Sequence, residues 1–226
     1  MKLNLTRVAA AALLAGAAIA AHADVTLSLP GWQFGGNSVN VTSPVPYGGQ
    51  AGAFAGSLSN AGIFNSASFV TYCVELEQSF GFSSNLTGYN IVSPASYTGV
   101  HPNGWGSGAV GIGDRLGQLL TYSLPLVTDS AKSTALQLAI WNTIYDTDNT
   151  VSSGTFIDSS GFAGQANAYL ANSLSTVSAL QVAILNNPTA QDFVAYAPIP
   201  EPGTYAMMLA GLAGMGFVAR RRARQA

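Results

Sequence analysis

The sequence contains very little cysteine, histidine and charge. Cys73 is the single cysteine among 226 residues, His22 and His101 are the two histidines, and charged residues make up 8% of the chain. A single cysteine cannot form a disulfide within the chain, and one thiol with two imidazoles is too few ligands for the common zinc sites. The sequence therefore predicts no metal site and no cofactor.

Basic residues are especially scarce in the middle of the chain. Between residues 24 and 200, Arg115 and Lys132 face nine acidic side chains, so this region carries a net charge near −7. Without a basic patch to neutralise phosphates, nucleic acid is excluded as a partner. The hydrophobic content of 48% is enough for a sizeable core. Low charge with abundant glycine and serine favours an extracellular, β-rich protein.

The N-terminus has the three parts of a secretory signal peptide. Lys2 and Arg7 make a short positive region, residues 8–20 are apolar and small, and Ala21-His22-Ala23 is a small-x-small cleavage site. We predict a signal peptide over residues 1–23. The alternative, an uncleaved membrane helix, is disfavoured because the run is short and rich in alanine.

The next part of the chain predicts short strands. From Val25 to about Asn60, apolar and polar residues alternate between Gly- and Pro-rich turns. A further strand is predicted over 67–76, with Cys73 and Glu75 on one face and Tyr72 on the other, and another over 89–92. Residues 93–111 are predicted to form a loop.

Helical periodicity follows this loop. Asp114 is predicted to cap a helix that Pro125 ends, and Asp129 or Ser130 to cap a second helix that runs to about Tyr145 and carries Gln137. A third helix is predicted over 161–174 and a strand over 180–185. The fold class predicted is α+β, a β-sandwich-like domain over 24–197 with a helical insertion.

The C-terminal segment, residues 198–226, has a specific order of features. Pro200-Glu201-Pro202 is followed by an uncharged apolar run over 205–219 and then by Arg220-Arg221-Arg222. This order resembles the PEP-CTERM sorting segment of Gram-negative bacteria. The resemblance implies an exosortase-type processing enzyme as partner, and transient anchoring in the inner membrane through a transmembrane helix over 205–219, with the arginines on the cytoplasmic side. Release to the cell surface or extracellular matrix would follow; the alternative is a plain membrane anchor without processing.

Two short motifs carry the candidate chemistry. Thr71-Tyr72-Cys73-Val74-Glu75 and the run Leu136-Gln137-Leu138-Ala139-Ile140-Trp141 resemble the two half-motifs of bacterial thioester domains. In that family a Cys and a Gln side chain condense, with loss of ammonia, into an internal thioester. The resemblance implies Cys73 Sγ as the thiol half and Gln137 Cδ as the acyl half, with Tyr72, Ile140 and Trp141 as apolar walls and Glu75 close by.

The predicted function is covalent cell adhesion at the envelope or in the biofilm matrix. An amine of an unknown surface protein or amine-bearing ligand would attack the thioester, and because each molecule reacts once we do not predict an enzyme. The alternative is a non-reactive structural or adhesive protein of the polysaccharide or biofilm matrix.

Three other interpretations compete for individual residues. A Cys-His hydrolase would use His101 as the base for Cys73, but no family signature surrounds that cysteine. Residues 146–149 hold two aspartates but lack the glycine and distal glutamate of a calcium loop, so we interpret them as a helix-ending turn. Glu75 and Asp146 are interpreted as solvated carboxylates, with help in proton transfer as the alternative.

Overall fold

A computed structural model of the protein describes residues 24–97, 111–199, 203, 207–213 and 215. The predicted signal peptide, His101, the Pro-Glu-Pro motif at 200–202 and the arginines at 220–222 lie outside the described residues.

Among the described residues, six antiparallel strands form the main sheet. In spatial order they are β5, β4, β1, β6, β8 and β9. Their bounds are β1 Val25–Trp32, β4 Phe54–Ser59, β5 Ser66–Thr71, β6 Ser83–Val92, β8 Leu180–Asn186 and β9 Phe193–Pro198. A second sheet contains β2 Asn37–Ser43, β3 Tyr47–Ala51 and β7 Ile157–Asp158, in the order β3-β2-β7.

The strands predicted before residue 60 are confirmed. Val25, Leu27 and Leu29 of β1 are buried while the residues between them are partly exposed, as the alternation predicted. Gly56 of β4 lies so close to β1 that a Cβ there would approach the Ser28 carbonyl oxygen to 1.6 Å. This glycine lets β1 and β4 approach each other closely.

The six-stranded sheet nearly closes on itself at a seam. Beyond β5 the chain continues beside β9, where Val194 N–H donates to the Tyr72 carbonyl and Val74 N–H to the Asp192 carbonyl, each at 3.1 Å. Cys73 and Phe193 form the antiparallel bridge between these bonds. We call residues 72–75 and 191–194 the seam. The prediction of one strand over 67–76 is wrong, because β5 ends at Thr71 and the chain then changes partner.

The described residues between β6 and β8 contain three α-helices: α1 Ile112–Ser123, α2 Ser130–Tyr145 and α3 Ala163–Ser173. The mixed fold with a helical segment inserted between strands is therefore confirmed, whereas the sandwich arrangement of the sheets stays a prediction. The predicted 180–185 strand is β8, and β6 begins at Ser83, earlier than predicted. Sequence analysis missed β7 and β9.

The helix boundaries test the capping predictions. Asp129 caps α2, accepting a 2.8 Å hydrogen bond from the Lys132 N–H, as one of the two predicted alternatives requires. The prediction for Asp114 is wrong: Gly111, in the left-handed region with φ +106°, precedes α1, and Asp114 lies in the first turn. There its charge still interacts favourably with the helix dipole.

Residues 207–213 of the apolar C-terminal run are helical. Within the part of the chain that the structure describes, no helix combines the length and the apolar character needed to cross a membrane.

Candidate functional site

The candidate site centres on the contact between Cys73 in the seam and Gln137 in α2. Gln137 Oε1 accepts a 2.9 Å hydrogen bond from the Cys73 N–H, and Gln137 Nε2 donates a 2.8 Å hydrogen bond to the Cys73 carbonyl. Both residues are buried, with Gln137 fully inaccessible to solvent. The structure thus brings together the two residues on which the thioester hypothesis depends.

Strand geometry explains why a side chain must lie here. The two hydrogen bonds between the seam segments use Tyr72 and Val74, so the N–H and carbonyl of Cys73 point away from β9. Buried backbone groups need partners, and the Gln137 carboxamide supplies a donor and an acceptor together. The two bonds also fix which end of the amide is oxygen.

The residues predicted to surround the thioester lie on two different sides of the seam. Trp141, one helical turn beyond Gln137, donates from its indole N–H to the Glu75 carbonyl at 3.2 Å. Ile140 is fully buried in the core. Tyr72 lies on the other side, lining a separate cavity with Val70 and Tyr196, as expected for a neighbour of Cys73 in an extended chain.

A partly open pocket of about 180 Å³ lies beside Cys73. Its walls are mainly aromatic: Trp32 stacks on Phe54 with ring centroids 4.5 Å apart, and Phe80 and Phe82 pack edge-on against Phe54. None of the described residues that line it is charged; they are Trp32, Tyr47, Gln50, Phe54, Cys73, Gln78, Ser79, Phe80, Phe82 and Gln191. The pocket gives a route by which an outside group could reach the seam.

Sequence analysis missed this pocket. Its walls come from β1, β3, β4, both segments of the seam and the chain that follows the first of them, and no short motif links them. One local signal was present: Phe80 and Phe82 alternate directly after the cysteine motif. Alternating aromatic residues of this kind are typical of a half-exposed apolar surface.

Two carboxylates are buried at the seam, and one of them, Asp192, was not predicted. Asp192 accepts hydrogen bonds from the Tyr97 hydroxyl, the Asn186 side chain at 2.9 Å and the Asn187 N–H at 2.5 Å. Its own N–H donates to Glu75 Oε1 at 2.9 Å. The interpretation of Glu75 as a solvated carboxylate is wrong, because both Glu75 and Asp192 are inaccessible to solvent.

Burial sets the protonation of this site. Burial and then the charge of Asp192 raise the pKa of Glu75 to about 8. Burial, followed by the charges of Glu75 and Asp192, raises the pKa of the Cys73 thiol well above its ordinary value. At neutral pH the site therefore holds a neutral thiol and a mostly neutral carboxylic acid.

Asp146 has a different role. It lies at the C-terminal end of α2 and accepts backbone hydrogen bonds from Thr147 at 2.6 Å, Phe156 at 3.1 Å and two further residues of the same loop. The helix-ending turn predicted at residues 146–149 is present.

Comparison with known proteins identifies the C-terminal segment. Residues 198–222 match the PEP-CTERM protein-sorting motif. Exosortase recognises this motif, so the protein is exported and is anchored in the membrane during sorting. No curated protein and no solved structure matches the chain.

Proposed function

We propose that this exported protein attaches covalently to a partner through an internal thioester between Cys73 and Gln137, which an amine of the partner attacks. The observation that carries the proposal is the pair of hydrogen bonds between the Gln137 carboxamide and the Cys73 main chain. These bonds hold an acyl group against the residue that carries the only thiol of the chain. Holding two reacting groups close together in this way lowers the activation barrier of the reaction between them.

The donor geometry also suits the reaction. The Cys73 N–H donates to Gln137 Oε1, the oxygen that would carry negative charge when sulfur attacks Cδ. A fixed backbone donor at such an oxygen stabilises the charge as it develops. The reaction forms the Sγ–Cδ bond, breaks the bond between Cδ and Nε2, and releases ammonia with the thiol proton.

The site is buried, as the protection of a reactive thioester from water requires. A thioester hydrolyses where water reaches it, and Cys73 and Gln137 are both buried. The aromatic pocket provides a limited entrance on the Cys73 side. An attacking amine would form an amide at Gln137 Cδ and return the thiol of Cys73.

In this proposal the mature part, 24–197, is a β-sandwich-like extracellular domain, and 198–226 is the sorting segment removed by exosortase. The final location is the cell surface or the extracellular matrix. The net negative charge of the mature part attracts positively charged amine-bearing surfaces during encounter.

A second candidate function has one observation in its favour. The Gln137 side chain satisfies two buried backbone groups of Cys73, and this role needs no covalent bond. A non-reactive structural or adhesive protein of the matrix would keep the same contact.

Amine trapping separates the two candidates. The secreted chain is incubated with methylamine and digested, and the peptides are identified by mass spectrometry. The thioester protein gains one methylamine, about 31 Da, on Gln137 and exposes one new thiol at Cys73. A Cys73→Ser variant is the matched control and takes up none. A wild-type protein that takes up no methylamine would support the non-reactive protein.

A further inference from the structure

The carboxyl group of Glu75 has an unusual arrangement beside the site. Glu75 lies two residues after Cys73 and is inaccessible to solvent. Its Oε1 accepts the hydrogen bond from the Asp192 N–H, while its Oε2 is buried and has no hydrogen-bond partner among the described residues. A buried carboxyl oxygen without a partner is destabilising, and such groups in folded proteins often have a chemical role.

The main chain holds Glu75 firmly in this position. Its carbonyl accepts hydrogen bonds from the Trp141 indole and from Gln191 Nε2, both at 3.2 Å. The bridge between Cys73 and Phe193 and the bond from the Val74 N–H to the Asp192 carbonyl hold residues 72–74 in antiparallel pairing. Residues two apart in an extended chain face the same side, so Glu75 is expected on the side of Cys73, and its negative charge acts on the Cys73 thiol.

The ionisable groups around Glu75 are mainly acidic. Among the neighbouring charges, that of Asp192, directly before β9, has the largest effect on the pKa of Glu75, and that of Glu77 has a smaller one. Cys73 lies on the same segment, and burial followed by nearby charges, Glu75 among them, raises the pKa values of Tyr89, Tyr97 and Tyr145. Because burial and the negative charge of Asp192 oppose ionisation, the pKa of Glu75 is about 8 and most of the group keeps its proton at neutral pH.

The sulfur needs such a proton. Attack by an amine on the thioester breaks the Sγ–Cδ bond and leaves the sulfur with an electron pair. Burial and the nearby carboxylates disfavour the thiolate, and for this reason the pKa of Cys73 is raised. The sulfur is therefore a poor leaving group unless a proton reaches it as the bond breaks.

We propose that the Glu75 carboxyl is the proton carrier of the thioester site, an inference that rests on the proposed function. During attack, Glu75 gives its proton to Sγ, and the resulting carboxylate takes one proton from the attacking amine. During formation of the thioester, Glu75 gives its proton to the departing Nε2, which leaves as ammonia, and takes the thiol proton of Cys73. In both reactions Glu75 loses one proton and regains one, and no other reagent is needed.

The test measures the rate of attack as a function of pH. Hydroxylamine is the probe, since it is already uncharged between pH 7 and pH 9, and the adduct is counted by intact mass on the secreted chain. For the wild type, the rate should fall above pH 8 as Glu75 loses its proton. Glu75→Gln should react about a hundredfold more slowly at pH 7 and lose this fall, in line with the usual contribution of a positioned acid.

Glu77→Gln is the matched control. It removes a carboxyl two residues further along, whose Oε2 is bound by the Tyr145 hydroxyl at 2.9 Å. It should keep the wild-type rate and the fall, with the midpoint moved slightly lower because Glu77 weakly raises the pKa of Glu75. A folded Glu75→Gln protein that never forms the thioester would also support the proposal.

The two hypotheses fail in different ways. A wild type that does not react with hydroxylamine overturns the thioester itself. A wild type that reacts but shows no fall in rate between pH 7 and pH 9 overturns the role of Glu75 alone, and this result needs no variant. A Glu75→Gln protein that reacts as fast as the wild type does the same.

Discussion

Glu75 in the seam and Asp146 at the end of α2 hold their carboxyl groups in opposite ways. Asp146 accepts four backbone N–H groups of one loop. Within the described part of the chain, Glu75 accepts one N–H, from Asp192, and its other oxygen is buried without a partner. A carboxylate that uses its lone pairs within its own loop shapes that loop, whereas a buried carboxyl with a spare oxygen can exchange a proton. The two acids therefore differ in burial and in hydrogen-bond partners, and this difference is the basis on which we propose a chemical role for Glu75 alone.

The largest expected effect comes from removing the carboxamide that crosses the seam. Gln137→Ala leaves the N–H and carbonyl of Cys73 buried without partners, and each such group costs about 1–3 kcal/mol. In a Cys73→Ser background, in which no thioester forms, we expect a loss of about 4 kcal/mol in the free energy of unfolding, measured by urea denaturation. In the chain that keeps Cys73, Gln137→Ala should abolish methylamine uptake.

Gln165→Ala is the control, because Gln165 is an exposed residue of α3. It should change the free energy of unfolding by less than about 0.5 kcal/mol. An equally small change for Gln137→Ala would show that the hydrogen bonds across the seam contribute little to stability.

The second effect concerns pH. The pKa of Glu75 is raised in the folded protein, so the folded state binds this proton more tightly than the unfolded state. Its contribution to stability is therefore fully present below the ordinary pKa and is lost as the pH rises through about 8. We expect the free energy of unfolding to fall by on the order of 2 kcal/mol between pH 5 and pH 8, allowing for screening by solvent.

Glu75→Gln should remove this fall, as thermal unfolding at several pH values would show. Gln165→Ala, which removes no ionisable group, serves as the control and should keep the slope of the wild type. If both variants keep the same slope, the seam does not hold the protonated acid that we describe.

The smallest effect is expected at the loop after α2. Asp146→Ala removes an acceptor for four N–H groups, but the loop can rehydrate them, so we expect about 1 kcal/mol of destabilisation. Uptake of methylamine should be unchanged. Reduced uptake in a folded Asp146→Ala protein would contradict the separation between the two acidic regions.

Local patterns predicted much of the secondary structure. The alternation in β1 and the cap at Asp129 depend on neighbours within a few residues, so the sequence displays them directly. The cap predicted at Asp114 failed because α1 begins at Ile112, directly after Gly111 with its positive φ, so that Asp114 already lies in the first turn. Both residues are common at the start of a helix, and the sequence alone does not decide between them.

The strand pairing at the seam could not be predicted from short sequence patterns. The prediction that one strand continues to residue 76 failed because the chain leaves β4 and pairs with β9, a segment about 120 residues away. Asp192 and the aromatic pocket depend on this same long-range pairing, so neither could be predicted. Cys73 and Gln137 were found because their short motifs resemble those of a known family, while Glu75 was named but wrongly placed in solvent.

The most direct test of the central claim is the intact mass of the secreted wild-type chain, measured fresh and without added amine. The account predicts a protein about 17 Da lighter than its processed sequence, since condensation of Cys73 with Gln137 releases one ammonia. A full-weight protein whose Cys73 reacts with a thiol reagent after unfolding would contradict it.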